Sequence, residues 1–160
     1  MKAAVLTVSD GVHAGERDDT SGDALEELLR EDGFAVSRRV VPDEHDAIAS
    51  AVDELCREAA LVLTTGGTGF APRDVTPEAT RPRLERDAPG IAEAIRADAR
   101  ARTPHALLSR GVAGLVGATL VVNLPGSTGG CRDGYAVLRT ALRHGLELAA
   151  GDTATSHRQT

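Results

Sequence analysis

Hydrophobic and polar positions fall into blocks along the chain, and each block has its own period. Residues 3–8 (Ala-Ala-Val-Leu-Thr-Val) form a short apolar run that predicts a first strand, and a polar, glycine-bearing loop follows over residues 9–22. Leu25, Leu28 and Leu29 then recur at helical spacing until Gly33 ends the turn. Residues 34–41 predict a second strand, which Pro42 interrupts; Asp43 is placed to cap a helix carrying Ile48, Ala51, Val52 and Leu55 on one face. The third apolar run, residues 60–63, is short and turn-bounded, as expected of a strand buried on both faces. Helical segments are predicted over residues 77–86 and 89–102, the second with Ile91, Ala94, Ile95 and Ala99 as its apolar stripe, and Pro104 opens another short one. Residues 112–116 and 119–124, joined by Gly117-Ala118, predict a hairpin, and a final helix carries Val137, Leu138, Leu142 and Leu146 on one side.

Strands alternating with helices of this length imply an α/β fold, with right-handed crossovers, a mainly parallel sheet and helices on both faces. The hairpin adds one antiparallel strand. A chain of 160 residues suits one domain, placed over residues 1–150, and residues 151–160 are expected to form a flexible tail.

The loops after the strands carry the chemistry. Residues 60–78 join an apolar run, the bend Thr65-Gly66-Gly67-Thr68-Gly69, a lone carboxylate at Asp74 and a helix start at Thr76-Pro77. Glycines there permit positive φ and let a ligand approach bare backbone. Thr76 is placed to cap the helix, and Pro77 has no amide hydrogen needing a partner. A second glycine-rich exit, Pro125-Gly126-Ser127-Thr128-Gly129-Gly130, follows the last strand. With parallel strands both loops share the carboxyl rim of the sheet, where open α/β sheets bind ligands and where nests of backbone amides hold phosphate oxygens. Neither loop reads GxxxxGK[ST], since the only lysine is Lys2, and GxGxxG is absent, which disfavours a P-loop NTPase and a standard dinucleotide dehydrogenase.

Asp10, Asp43 and Asp74 follow the first three strands and therefore reach the same rim. Converging carboxylates without basic partners need protons, solvent or a cation, and an oxygen-only donor set favours magnesium, which takes one or two carboxylates plus substrate phosphates. For Asp10 a plain turn or helix cap is the preferred reading; for Asp43 and Asp74 the cation is, because Thr76 already supplies the cap beside Asp74. Arg73 and Arg110 are within sequence reach of a bound phosphate, although an arginine on a loop is more often solvated. No nucleophile–base pair stands out, so the implied chemistry is positioning and electrostatics at phosphorus.

Charge and composition narrow the partners. A formal charge of −6 and only three aromatic residues, Phe34, Phe70 and Tyr135, leave neither a basic stripe nor a stacking platform for nucleic acid. Cys56 and Cys131 lack zinc spacing, Cys56 reads as a small buried hydrophobe, and His105 as a surface or core histidine. No membrane span and no signal peptide are recognisable, and the expected location is the cytoplasm.

These residues resemble the molybdopterin adenylyltransferase family, the MogA/MoaB-type domain also found in gephyrin and plant molybdenum-cofactor enzymes. The likeness runs from Leu6-Thr7-Val8-Ser9-Asp10 through Asp19-Thr20-Ser21-Gly22 and Val41-Pro42-Asp43-Glu44. It continues through Thr65 to Gly69, Pro72 to Thr80 and Leu108-Ser109-Arg110, and ends at Asn123-Leu124-Pro125-Gly126-Ser127. The block from GGTG to TPEAT is its most specific part. The resemblance implies a MogA/MoaB-like α/β sandwich, commonly a homotrimer, that transfers AMP from ATP to molybdopterin with magnesium and releases pyrophosphate. The product passes to a partner that inserts molybdate. By the same likeness Asp43 and Asp74 are essential to transfer and hold the metal. Ser9, Asp10, Thr65, Gly66, Gly67, Thr68, Gly69, Pro125, Gly126 and Ser127 line the nucleotide or pterin phosphate site, and Ser109 lies near the pterin. Two other readings stay open: a non-catalytic molybdopterin-binding or scaffold protein, and a hydrolase of nucleotide-like pyrophosphates.

Overall fold

The computed structural model describes residues 1–151, so the predicted tail lies, from residue 152 onward, outside the described residues. In chain order the elements are β1 (Lys2–Val8), α1 (Asp10–His13), α2 (Thr20–Glu31), β2 (Ala35–Val41), α3 (His45–Leu55), β3 (Leu61–Thr65) and α4 (Thr76–Thr80). A 3-10 turn (Arg81–Arg83) leads to β4 (Arg86–Asp87) and α5 (Pro89–Arg100), and a second 3-10 turn (Pro104–Leu108) leads to β5 (Ala113–Val116), β6 (Thr119–Leu124) and α6 (Thr128–Ala149).

One six-stranded sheet runs in the order β2-β1-β3-β6-β5-β4. β1 pairs parallel with β2 and β3, and β3 pairs parallel with β6, with Thr65 opposite Leu124. β5 runs antiparallel to both β6 and β4, so it is the one reversed strand that the hairpin pattern predicts. Strand order reverses between β1 and β3, because the chain leaves β1 toward β2 and returns to β3 on the other side. The crevice at such a point, outside the carboxyl ends of the strands, is the usual ligand position in an open α/β sheet.

The period-two side chains of β1 divide the interior into two cores. Ala3 and Val5 join Leu63, Val122 and Leu124 against Leu25 and Leu29 of α2, Ile95 of α5, and Tyr135, Leu138, Leu142 and Leu146 of α6. Ala4, Leu6 and Val8 join Val62 and Val121 against Ile48, Val52 and Leu55 of α3 and Ala79 of α4. All five residues of β3 are buried, which explains why its sequence is an unbroken apolar-and-threonine run with no polar alternation. Each leucine removed from water in these layers contributes about 1.5–3 kcal/mol.

Helix boundaries differ from expectation at three places, one end and two starts. The predicted helix over 77–86 stops at Thr80, and residues 81–87 become the 3-10 turn and the short edge strand β4. Pro82 lies in that 3-10 turn, and as a helix-interior residue it would lack the amide needed for a continuing helical bond. Asp43 does not cap α3: the capping position is Glu44, which makes no side-chain cap bond. Thr76 is the first residue of α4 rather than its cap, and its hydroxyl donates to the Gly66 carbonyl at 2.9 Å.

Candidate functional site

Four chain exits meet at the carboxyl rim: Ser9 after β1, Asp43 after β2, Gly66 after β3 and Pro125 after β6. The first is a short helix rather than a plain loop, with Ser9 as cap of α1 accepting from the Val12 amide at 3.3 Å. α1 has four residues and no buried side chain, so no apolar period marks it in the sequence.

The two glycine exits pack directly on one another. Gly66 has φ +99° and Gly67 φ +66°, both in the left-handed range. A Cβ on Gly66 would lie 2.2 Å from the Val8 carbonyl oxygen, and one on Gly67 2.3 Å from the Thr76 hydroxyl and 3.3 Å from Asp43 Oδ1. A Cβ on Gly126 would stand 3.3 Å from the Gly66 Cα, so the second loop uses its bare backbone to approach the first. The Thr65 hydroxyl, 2.9 Å from the Pro125 carbonyl oxygen, ties the same two exits together. Ser127 caps α6 by accepting from the Gly130 amide at 3.1 Å.

The three aspartates separate into different duties. Asp10 and Asp43 exchange bonds: the Asp10 amide donates to Asp43 Oδ2 at 2.8 Å, and the Asp43 amide donates to Asp10 Oδ1 at 3.0 Å. The expected cluster without basic partners is corrected here, because Arg73 grips Asp10 with two bonds, at 2.6 and 2.9 Å. Arg73 thereby holds the Asp10 carboxyl below its ordinary range, and the Asp43 amide adds to that effect. Asp43 behaves oppositely. Burial raises its pKa, and the neighbouring charges of Asp10 and Asp74 raise it further, against the lowering influence of the Asp10 amide. Asp74 has the local duty that its sequence context did not reveal, since Oδ2 accepts from the Ala71 amide at 2.9 Å and closes the turn after Gly69. Among the described residues no group of three or more His, Cys, Asp or Glu side chains is placed to hold a metal ion.

These residues border two adjoining clefts. The larger, about 630 Å³, is lined by Ser9, Arg17, Asp18, Asp19, Thr20, Ser21, Asp43, Thr65, Thr128 and neighbouring residues. The second, about 430 Å³, is lined by Thr68, Gly69, Ile95, Ala99, His105, Leu108, Ser109 and Pro125 and is mainly apolar. Gly67, Asp74, Gly126 and Ser127 line both, forming a shared wall. Ser9, Asp43 and Ser109, distant in sequence, are thus brought to one bipartite cavity, whereas Asp10 lines neither cleft and acts through its bonds to Asp43 and Arg73.

Arg110, read from the sequence as within reach of a phosphate, spends its guanidinium on the protein instead. Its Nε donates to the Gly69 carbonyl at 2.8 Å, its Nη2 to the Asp74 carbonyl at 2.6 Å and its Nη1 to Glu78. Its amide donates to the Thr68 carbonyl at 2.9 Å, so it fastens the glycine loop to the segment carrying Ser109. Burial raises the Glu78 pKa, but the Arg110 bond, the Glu78 amide and the charges of Arg110 and Arg81 together leave it lowered. Asn123 also bonds within the protein: buried behind the loop, it donates to the Thr64 and Thr80 hydroxyls at 3.0 and 3.2 Å and accepts from the Val112 amide at 3.2 Å. Cys131 lies fully buried behind the rim, its thiol donating toward the Thr65 hydroxyl at 3.2 Å and the Pro125 carbonyl at 3.1 Å, whereas Cys56 is only partly buried in the other core; burial pushes both thiols up to about 11.

Comparison with known proteins decides the family. The model of a family described as "Probable molybdopterin binding domain" matches residues 4–144. The chain belongs to that family. This molybdopterin binding domain is 42% identical over 153 residues to the molybdenum cofactor synthesis protein cinnamon of Drosophila melanogaster, covering 92% of this chain but 25% of that protein. It is 36% identical over 153 residues to a molybdopterin adenylyltransferase of Helicobacter pylori strain J99, covering 92% of this chain and 87% of the relative. Among solved structures, the molybdopterin biosynthesis enzyme MoaB of Thermus thermophilus is 45% identical, with a TM-score of 0.88 over 94% of this chain and 96% of the other. The mainly parallel α/β sandwich with one reversed strand is the architecture of these neighbours. Among the described residues no helix is long and apolar enough to cross a membrane.

Proposed function

We propose that this molybdopterin binding domain serves molybdenum cofactor biosynthesis as an adenylyltransferase, joining AMP from ATP to molybdopterin. One observation carries the reading: two clefts of different character, one polar and one mainly apolar, share a wall made of Gly67, Asp74, Gly126 and Ser127. Two ligands seated in them meet at that wall. The relative named molybdopterin adenylyltransferase, matched over 87% of its length, supports the same assignment.

In this reading the polar cleft holds the nucleotide, and the apolar cleft beside Ser109 holds the flat pterin. A pterin phosphate oxygen bonds to the α-phosphorus of ATP, the α–β bridging P–O bond breaks, and pyrophosphate leaves with the electron pair. Gly67 and Gly126 present backbone at the shared wall, which is what phosphate oxygens would meet there. The donor set fits magnesium: Asp43 and Asp74 are oxygen donors with no paired cation among the described residues, and their mutual repulsion, which adds to burial in raising the Asp43 pKa, favours one. Bound there together with water and substrate phosphate, magnesium would offset negative charge that builds in the transition state. Asp10 and Arg73 hold Asp43 in place through the reciprocal amide bonds, and Arg110 holds the glycine loop. Assembly as a homotrimer and hand-over of the product to a molybdate-inserting enzyme belong to the same proposal.

Pyrophosphate release that requires molybdopterin, ATP and magnesium together is the expected result. Tight molybdopterin binding with no such release would overturn transfer in favour of a non-catalytic binder, and light scattering reads the subunit number.

A further inference from the structure

The larger cleft contains one cationic side chain among its lining residues, Arg17. The other arginines near the glycine loop already have acceptors within the protein: Arg73 binds Asp10, and Arg110 binds two carbonyls and Glu78. Arg17 differs. Its Nη2 donates to the Ser9 hydroxyl at 3.1 Å, a neutral partner, and no carboxylate lies within ion-pair distance of it among the described residues. Its place is nevertheless built. The Arg17 amide donates to the Gly11 carbonyl at 3.2 Å, and a Cβ on Gly11 would fall 2.9 Å from Arg17 Nε, so the side chain lies along a bare stretch of α1. Across the cleft the Thr20 and Thr128 hydroxyls sit 2.9 Å apart at the starts of α2 and α6.

A nucleoside triphosphate brings more negative charge than a divalent cation offsets. Its terminal phosphates need a further donor, and a guanidinium suits phosphate oxygens by geometry as well as charge. We infer that Arg17 is the binding residue for the β- and γ-phosphates of the nucleotide, and so for the pyrophosphate that leaves. Its hydrogen bond to Ser9 is the ground state that the phosphate displaces. This rests on the adenylyltransferase reading and adds a residue to it.

The test compares ligands with and without those phosphates. Affinities of Mg-ATP, magnesium pyrophosphate and AMP are measured by calorimetry for the unaltered chain, Arg17→Gln and Arg17→Lys, with thermal unfolding as a control on folding. Arg17→Gln should weaken ATP and pyrophosphate binding about tenfold, the size of one charge-assisted phosphate contact, and leave AMP binding unchanged. Arg17→Lys should fall between. ATP and pyrophosphate affinities that stay within twofold, or an AMP affinity that falls by the same factor, would overturn the assignment while leaving the transfer reading intact. An unaltered chain that binds AMP, ATP and pyrophosphate not at all would overturn both.

Discussion

Gly67 sets the spacing between the glycine loop and the carboxylates, and the cost of altering it follows from one contact and one backbone angle. In Gly67→Ala the new Cβ meets the Thr76 hydroxyl at 2.3 Å, where the hydroxyl donates to the Gly66 carbonyl. The left-handed backbone, φ +66°, costs an alanine about 1–2 kcal/mol, and displacing the buried hydroxyl forfeits its bond at about 1–3 kcal/mol more. Thr76→Ala loses that same bond alone, about 1–3 kcal/mol. In the double variant the obstructing oxygen is gone, so Gly67→Ala should there add only its backbone cost. Urea unfolding at one fixed protein concentration measures all three. The double variant should be more stable than the sum of the singles requires, by about 1–3 kcal/mol. Agreement with simple addition to within about 0.5 kcal/mol would show that the Cβ and the hydroxyl do not compete, and the account of this glycine would fail.

Asp74→Asn should abolish pyrophosphate release and leave the fold intact, because the amide oxygen still accepts from Ala71; retained turnover would remove the metal role from Asp74. Asp43→Asn should also be inactive, yet at pH 7 no less stable than the unaltered chain. The raised pKa means that the folded state binds the Asp43 proton more tightly than the unfolded state does, so this carboxyl favours folding as pH falls through its raised pKa and opposes it above. Without metal, Asp43 should accordingly titrate above the ordinary carboxyl value of 3.8, while Asp10, lowered by Arg73, keeps its ion pair to a more acid pH; carboxyl chemical shifts followed through a pH titration of the metal-free chain read the two. Asn123→Leu should cost about 2–4 kcal/mol in urea unfolding, since it strands the Val112 amide and the buried Thr64 hydroxyl behind the loop, while the Thr80 hydroxyl keeps its bond to the Thr76 carbonyl.

Periodicity reveals elements that bury a face and misses those that do not. α3 and α6 each carry an apolar stripe against the sheet, and both are legible in the sequence, as is the wholly buried β3. α1 buries nothing and is invisible to the same test. In the site, the strand exits place Asp43, Asp74 and the glycine loops on one rim because a parallel sheet leaves them no other edge. What the sequence could not disclose was pairing across long separations. Arg73 and Asp10 are 63 positions apart, and Arg110 reaches Gly69 across 41, contacts that only tertiary packing creates. Thr76 shows a related limit: a threonine before proline has the chemistry of a cap, but here it is the first helical residue, and its hydroxyl donates to the Gly66 carbonyl rather than accepting from a helix amide.

Both margins of the sheet are ill suited to receiving a foreign strand. At one, β2 carries Arg38, held by Asp19, Asp23 and Glu26, and Arg39, held by Glu54; at the other, β4 is only two residues long. A bulky, charged margin and a truncated one each defeat the ladder of amide bonds by which sheets fuse into fibrils or run on into a neighbour. Encounters between copies of this chain are thus turned away from open-ended growth and toward helical and loop surfaces, where contacts can close on themselves.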